Sequence, residues 1–356
     1  MAVSGFRGLD STMLAAVQLR TRFNEETRQA ASGTRADTYA GLGSDARRSV
    51  SLRGELSRRE TLATNAGQAE ARASYTQTIL SRLSDIATTM ATSADDGLGV
   101  LGTDRRLIAE NARKALAEVT GLLGERYQGE AVFGGSDPEG DPIVSPDGIF
   151  HSGLYTGIRD EVMKLGTIDA ATVLASTRTL ASSNDPAVTP FSAHAAASAR
   201  GEIDDPRRSV TVADGVRVDI GLYPNRDASA LPAGADSTGS WSRDLLHGLS
   251  LLSNLDSVPA ESDASALLQG VISTLRSARE RVDHEAGALG YAEQRLAAAR
   301  AQNTEVANQL ERQLGDLETV DLAEAFVRLQ ATQTQLQASY KSLSMLGDLT
   351  LTSFLR

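Results

Sequence analysis

Toward the C-terminus the apolar positions fall into step. Leu275, Val282, Leu289, Leu296, Asn303, Leu310 and Leu317 stand at unbroken seven-residue intervals, with Ala278, Ala286, Ala292, Ala299, Val306 and Leu314 between them. A heptad held that long predicts a helix from about Asp263 with a supercoiled seam, in which the lone Asn303 fixes register at some loss of stability. A last helix follows, with Leu322, Phe326, Leu329, Gln333, Leu336, Tyr340 and Leu343 spaced alternately by four and three.

The N-terminal end carries a matching pattern. Met13, Ala16, Val17 and Phe23 recur at helical spacing from Asp10 to Ala31, and Asp10-Ser11-Thr12 can cap that helix. Gly33, Gly41 and Gly43 then break it and read as a connector. From Ser44 or Asp45 to about Ser93 a second helix is predicted, with Leu52, Leu56, Leu62, Ala66, Ala69, Ala73, Leu80, Leu83 and Ile86 on its inner face. Its length favours coiled-coil-like packing. After the break "ADDGLGVLGTD", a third helix is expected from Asp104 to Tyr127, carrying Leu107, Ile108, Leu116, Val119 and Leu123.

At "GEAVFGGSDPEGDPIVSPDGIF" the helical period is lost and glycine and proline take over. Val210 and Val212, then Val216, Val218 and Ile220, alternate around an Ala-Asp-Gly turn and predict a β-hairpin. Helix resumes at "WSRDLLHGLSLLSNL". The fold class is therefore mainly α: a long antiparallel, coiled-coil-like helical bundle formed by both chain ends, with a β-containing inserted middle domain. The expected divisions are terminal helices at 1–42 and 318–356, a helical bundle at 43–140 and 246–317, and a β-containing insertion at 141–245.

Composition narrows the function. At 356 residues the chain is long enough for two or three domains, yet aromatics are only 4%, which suits long thin helices better than one large globule. A net charge of −11 argues against nucleic-acid binding, which needs clustered basic residues. The basic pairs in "DARRSV" and "LSRRE" read as solvated helix faces. There is no cysteine, so disulfides and thiolate metal sites are excluded. The N-terminus lacks the apolar core of a cleaved secretory signal, and no window approaches the roughly 20 apolar residues that would allow membrane insertion.

Nothing in the sequence points to catalysis, a cofactor or a metal. His151, His194, His247 and His284 show no metal-ligand spacing. "GLGVLG" lacks the preceding strand of a dinucleotide loop, and "DPEGD" and "NDP" lack the oxygen-ligand spacing of a calcium loop. These read as turns.

The apolar stripes at the two ends are each too thin to bury themselves. They must meet each other or other molecules. "RQAASGTRADTYAGLGSDARRSVSLRGEL", with Ser32, Gly33 and Arg35, resembles the N-terminal region of the flagellin family. "GALGYAEQRLAAARAQN" and "LETVDLAEAFVRLQATQTQLQAS" resemble that family's C-terminal region, through Gly287, Gln294, Arg295, Leu296, Asn303, Asp321, Ala323, Glu324, Leu329, Gln333, Gln337 and Ala338. The resemblance covers about 1 to 135 and 265 to 356. Within the family, "GEAVFGGSDPEGDPI", "RRSVTVADGVRVDIGLYPN" and the ending "LTLTSFLR" are more similar to the hook-filament junction branch (hook-associated protein 3) than to filament flagellin.

The resemblance implies an extracellular subunit of the bacterial flagellum, exported by the flagellar type III system without a cleaved signal peptide. The terminal helices would form the inner tube of a hollow axial assembly, and be largely disordered before it. Implied partners are further copies of the chain in a ring or helical tube, hook-associated protein 1, filament flagellin, and an export chaperone covering the C-terminal helix. The expected assembly interface is Met13, Val17, Phe23, Leu322, Phe326, Leu329, Leu336, Tyr340 and Leu343. The expected bundle seam is Leu275, Val282, Leu289, Leu296, Asn303, Leu310 and Leu317. A filament flagellin, or a non-flagellar coiled-coil scaffold, is the alternative.

Overall fold

The structure, a computed structural model, describes residues 3–99, 105–199, 207–225 and 236–354; for 3–12, 99, 198–199 and 346–354 it describes the backbone alone. In chain order the helices are α1 (Val3–Ser32), α2 (Ala46–Gly99), α3 (Arg105–Leu123), α4 (Gly153–Val162), α5 (Ala170–Ala181), α6 (Ala193–Ala199), α7 (Trp241–Ser253), α8 (Ser265–Glu318) and α9 (Leu322–Phe354). The strands are β1 (Arg126–Tyr127), β2 (Glu130–Ala131), β3 (Ser209–Ala213) and β4 (Val216–Asp219), in two antiparallel pairs. The fold is mainly α, with long helices contributed by both chain ends and a middle that contains β structure. Two compact units are present, Met1–Thr61 with Gln302–Arg356, and Leu62–Ala301.

In the first unit α1 packs along α9. The end of α1 meets the start of α9, since the nearest atom to a Cβ built on Gly33 would be Leu322 Cδ2, so the pair is antiparallel. The helix α1 runs unbroken through Asp10-Ser11-Thr12, so these residues lie inside it and do not cap it. The chain leaves α1 at Gly33, whose φ of 72° is left-handed and open to glycine at little strain. It enters α2 through a 3-10 turn, Tyr39–Asp45. In this unit Arg53 of α2 reaches Glu318 of α8 and Arg59 reaches Asn303, which makes these helix ends antiparallel too.

The second unit holds the main hydrophobic core. Leu80, Leu83 and Ile86 of α2, Leu116, Val119 and Leu123 of α3, and Leu275, Val282 and Leu289 of α8 share one buried cluster with α7 and the short middle helices. Every residue of α7 is buried. Gly248 lets α7 approach α8 closely, because a Cβ there would lie 2.7 Å from Leu275 Cδ2.

Three local expectations are corrected. The helix α2 continues to Gly99 through most of the predicted break, of which residues 100–104 lie outside the described residues. The third helix stops at Leu123, because Gln128 and Gly129, with φ of 53° and 85°, turn the following residues into the β1–β2 hairpin. Leu107 is 54% exposed and contributes little to the core.

The middle is also more helical than its composition suggests. Ser152 accepts a hydrogen bond from the Tyr155 amide at the start of α4, and Asp169 does the same for Thr172 at α5. The predicted hairpin is present as β3–β4, with Gly215 in its turn and a bulge between Thr211 and Ala213. Its Val212, Val218 and Ile220 pack on Ala66, Ala69, Ala292 and Leu296.

Candidate assembly surfaces

The inner faces of α1 and α9 mix small residues with larger ones. On α1 the less exposed positions are Ala16, Leu19, Phe23, Glu26 and Ala30; on α9 they are Ala325, Leu329, Thr332, Leu336, Ser339 and Leu343. Both sets alternate steps of three and four, and small side chains allow the two helices to approach closely. Phe23, Leu329, Leu336 and Leu343 are each half-buried along this pair. Met13 and Val17, which the spacing aligned with α9, are 62% and 63% exposed and turn away from it. Ala16 takes the inner position in their stead.

Large apolar side chains consequently remain on the outside. Leu322, Phe326 and Tyr340 fall on one flank of α9, while Val327 and Met345 lie on its back. On α1, Met13, Leu14 and Val17 are the exposed ones. Such apolar area on a thin two-helix pair is a candidate association surface.

At the base of the pair the two connectors are clasped together. Thr34 and Thr319 form an antiparallel bridge, the Arg35 amide donates to the Glu318 carbonyl at 2.7 Å, and the Val320 amide donates to the Gly33 carbonyl at 3.0 Å. The Glu318 carboxylate accepts from Arg53 Nε at 3.0 Å, from Arg53 Nη2 at 2.5 Å and from the Ser49 hydroxyl. Hydrogen bonds from Arg53 and then Ser49 hold the Glu318 carboxyl below its usual pKa. Asp321 caps α9 by accepting from the Ala323 amide at 2.8 Å.

The clasp carries a prediction. A carboxylate with a depressed folded pKa stabilises above its unfolded pKa of about 4.5, and that stability is lost as pH falls through the lower folded value. Glu318→Gln should therefore weaken protection of the Arg35 and Val320 amides at neutral pH, as acidification does in the unaltered chain. Hydrogen exchange, corrected for intrinsic rate, reads both; unchanged protection in the variant would refute the clasp.

Along α8, Leu275, Val282, Leu289 and Leu296 are buried in the second unit. In the first unit Asn303 is buried and Leu310 and Leu317 are half-buried. Asn303 Oδ1 accepts from Arg59 Nη1 at 3.2 Å, which satisfies part of a polar side chain placed in an apolar seam.

The remaining polar motifs have structural roles. Asp137 Oδ1 accepts from the Gly140 amide, and Arg126 holds Asp141 and the Glu139 carbonyl, so "DPEGD" is a hydrogen-bonded turn. Asp185 Oδ1 accepts from the Ala187 amide, and Asn184 receives Arg243. His247 is fully buried in α7, His151 and His284 are exposed, and His194 is half-buried. Among the described residues no three His, Asp or Glu side chains are grouped to hold a metal ion, and no helix is long and apolar enough to cross a membrane.

Residues 272–355 match the model of the bacterial flagellin C-terminal helical region. This part of the chain is similar to the flagellin C-terminal helical region. No curated protein matches the chain. The matched span takes in most of α8, the second connector and α9, and with them Glu318, the whole predicted seam and every predicted interface residue on α9. Met13, Val17 and Phe23 of α1 lie outside the matched span and enter only by packing against it or by facing away from it.

Proposed function

We propose that this chain is an exported structural subunit of the bacterial flagellum, set at the joint between hook and filament. The observation that carries the reading is the match to the flagellin C-terminal region, which takes in α9, where Leu322, Phe326 and Tyr340 are left about half exposed. Neighbouring copies in a ring or helical tube would cover that flank and the exposed Met13, Leu14 and Val17 of α1. The pair α1–α9 buries few residues fully, among them Ala16, Ala325 and Thr332, so its helices gain most of their stability on assembly. Before assembly an export chaperone would cover α9, and in place hook-associated protein 1 and filament flagellin would flank the ring. The role is structural and needs no cofactor.

Immunogold labelling of isolated flagella tests the placement. A single focus where hook meets filament is the expected result. Label along the whole filament would make the chain a filament flagellin, and no label on flagella would return it to a coiled-coil scaffold outside the flagellum.

A further inference from the structure

A groove of about 460 Å³ opens in the second unit where α2, the β1–β2 hairpin and the β3–β4 hairpin converge. Its centre is an unequal charge cluster. Arg72 Nη1 donates to Glu130 Oε2 at 2.8 Å and Arg72 Nη2 to the Ala131 carbonyl at 2.8 Å. Arg208 Nη2 donates to Glu130 Oε1 at 3.3 Å, and its Nη1 to Oε2. Two guanidinium groups thus share one carboxylate, in a chain whose net charge is −11. A structural staple between α2 and β2 needs only Arg72, which is buried. The second arginine leaves one positive charge without a counter-charge in the cluster. Burial, and then the proximity of Arg208, disfavour the charged form of Arg72, the physical sign of an excess that another anion would relieve. Each guanidinium has five N–H donors, and these hydrogen bonds use two on each.

The walls of the groove are suited to hydroxyl groups. Gln68 and Gln128 bring amides and Ser209 and Thr211 bring hydroxyls, and each of these can donate and accept. Tyr127 offers an aromatic side, held by Tyr75 at a ring separation of 5.2 Å, while the Tyr75 hydroxyl is anchored on Glu125 at 2.6 Å. Gln128 is the one non-glycine with positive φ among the described residues. Glycine or asparagine would hold that turn with less strain, so the long amide at the rim stands there against local conformational preference.

We infer that this groove binds an acidic sugar residue, its carboxylate on the Arg72–Arg208 pair and its hydroxyls on the Gln128 and Thr211 side of the groove. This goes beyond the flagellar role and does not depend on it. A bare carboxylate fills only the charged end, and a neutral sugar leaves the excess charge unmet. Both should therefore bind less well than the acidic sugar, because polar groups at the unfilled end remain without partners.

The full chain, amide-labelled for NMR, would be titrated with sodium glucuronate, glucose and sodium acetate in parallel. Saturable shifts confined to Tyr127, Gln128, Ser209 and Thr211 are expected with glucuronate, with glucose and acetate weaker by about tenfold or more. Arg208→Gln should weaken glucuronate by at least about tenfold through loss of a charge-assisted contact. Gln128→Gly relieves the left-handed strain, so it should keep or raise thermal stability while still weakening glucuronate several-fold. No saturable shift with glucuronate, equal affinity for acetate or glucose, or unchanged affinity in both variants would each overturn the inference.

Discussion

Replacing Val17 and Phe326 together by aspartate should abolish incorporation into the axial assembly while leaving the α1–α9 pair and the second unit folded. Both side chains are more than half exposed in the single chain, so aspartate there meets water and disturbs little. In an assembly that covers them the same change removes two large apolar contacts, worth about 1.5–3 kcal/mol each. Together that is roughly two to four powers of ten in the association constant. It also leaves two carboxylates to be desolvated, which raises the penalty further.

The inner face supplies the contrast. Leu329→Asp with Leu336→Asp puts charges between α1 and α9, and should remove both assembly and the pairing of the helices. The second unit should keep its helicity in either double variant, since none of these residues belongs to it. Sedimentation of assembled polymer, with circular dichroism of the soluble fraction, separates the cases. Polymer from the Val17/Phe326 variant at wild-type concentration would show that the outward faces are not the assembly surface.

The inward and outward faces differ in how readable they were from sequence. Long helices at both ends follow directly from heptads such as Leu275 to Leu317, since period and length are properties of the chain itself. Which flank of α9 faces α1 does not. The inner positions Ala325, Thr332 and Ser339 are small or polar and score low for hydrophobicity, so Phe326 and Tyr340 drew the stripe toward a flank that remains exposed. Close helix approach rewards small side chains, a preference that an apolar pattern cannot express. The clasp had a similar obstacle: Glu318 and Arg53 lie 265 positions apart, and no local signal couples them.

The middle was read as β-like because glycine and proline dominate its turns. Its helices α4 and α5 are short, and their signals were the caps Ser152 and Asp169 followed by Leu154, Ile158 and Val162, or by Val173, Thr177 and Ala181. The hairpin β3–β4 was legible because strict alternation and an Asp-Gly turn fix it locally. The leucines and Trp241 of α7 announce an apolar face, but nothing in its sequence shows that Ser242, Asp244 and His247 are buried as well. Only the surrounding core decides that.

That burial sets the largest expected pH effect. His247 is fully enclosed, and burial followed by the nearby positive charge of Arg178 pushes its pKa down from 6.5 to about 3. Thr177 Oγ1 donates to the Val173 carbonyl at 2.8 Å, so the 2.9 Å contact with His247 Nε2 is a bond donated by the ring. The other nitrogen, Nδ1, is buried with no hydrogen-bond partner among the described residues. A second proton there would have no acceptor. Well above pH 6.5 the ring is neutral in both folded and unfolded states, and contributes no pH dependence. As pH falls from 6.5 toward 3 the unfolded chain takes up a proton that the folded unit refuses, so stability declines. The loss is on the order of 4 to 5 kcal/mol at its limit. Asp244 works in the opposite direction, because burial raises its pKa and its protonation favours the folded unit. A substitution at His247 alone isolates the histidine. His247→Leu should be near neutral at pH 7, where Thr177 keeps its bond to Val173, and should remove about one proton's worth of slope below pH 6.5. The chain has a single tryptophan, Trp241, and it lies in α7 itself, so its fluorescence in urea titrations at several pH values reports this unit directly. Parallel slopes for the two proteins between pH 6.5 and 3 would mean that His247 is charged, or reached by water, in the folded unit.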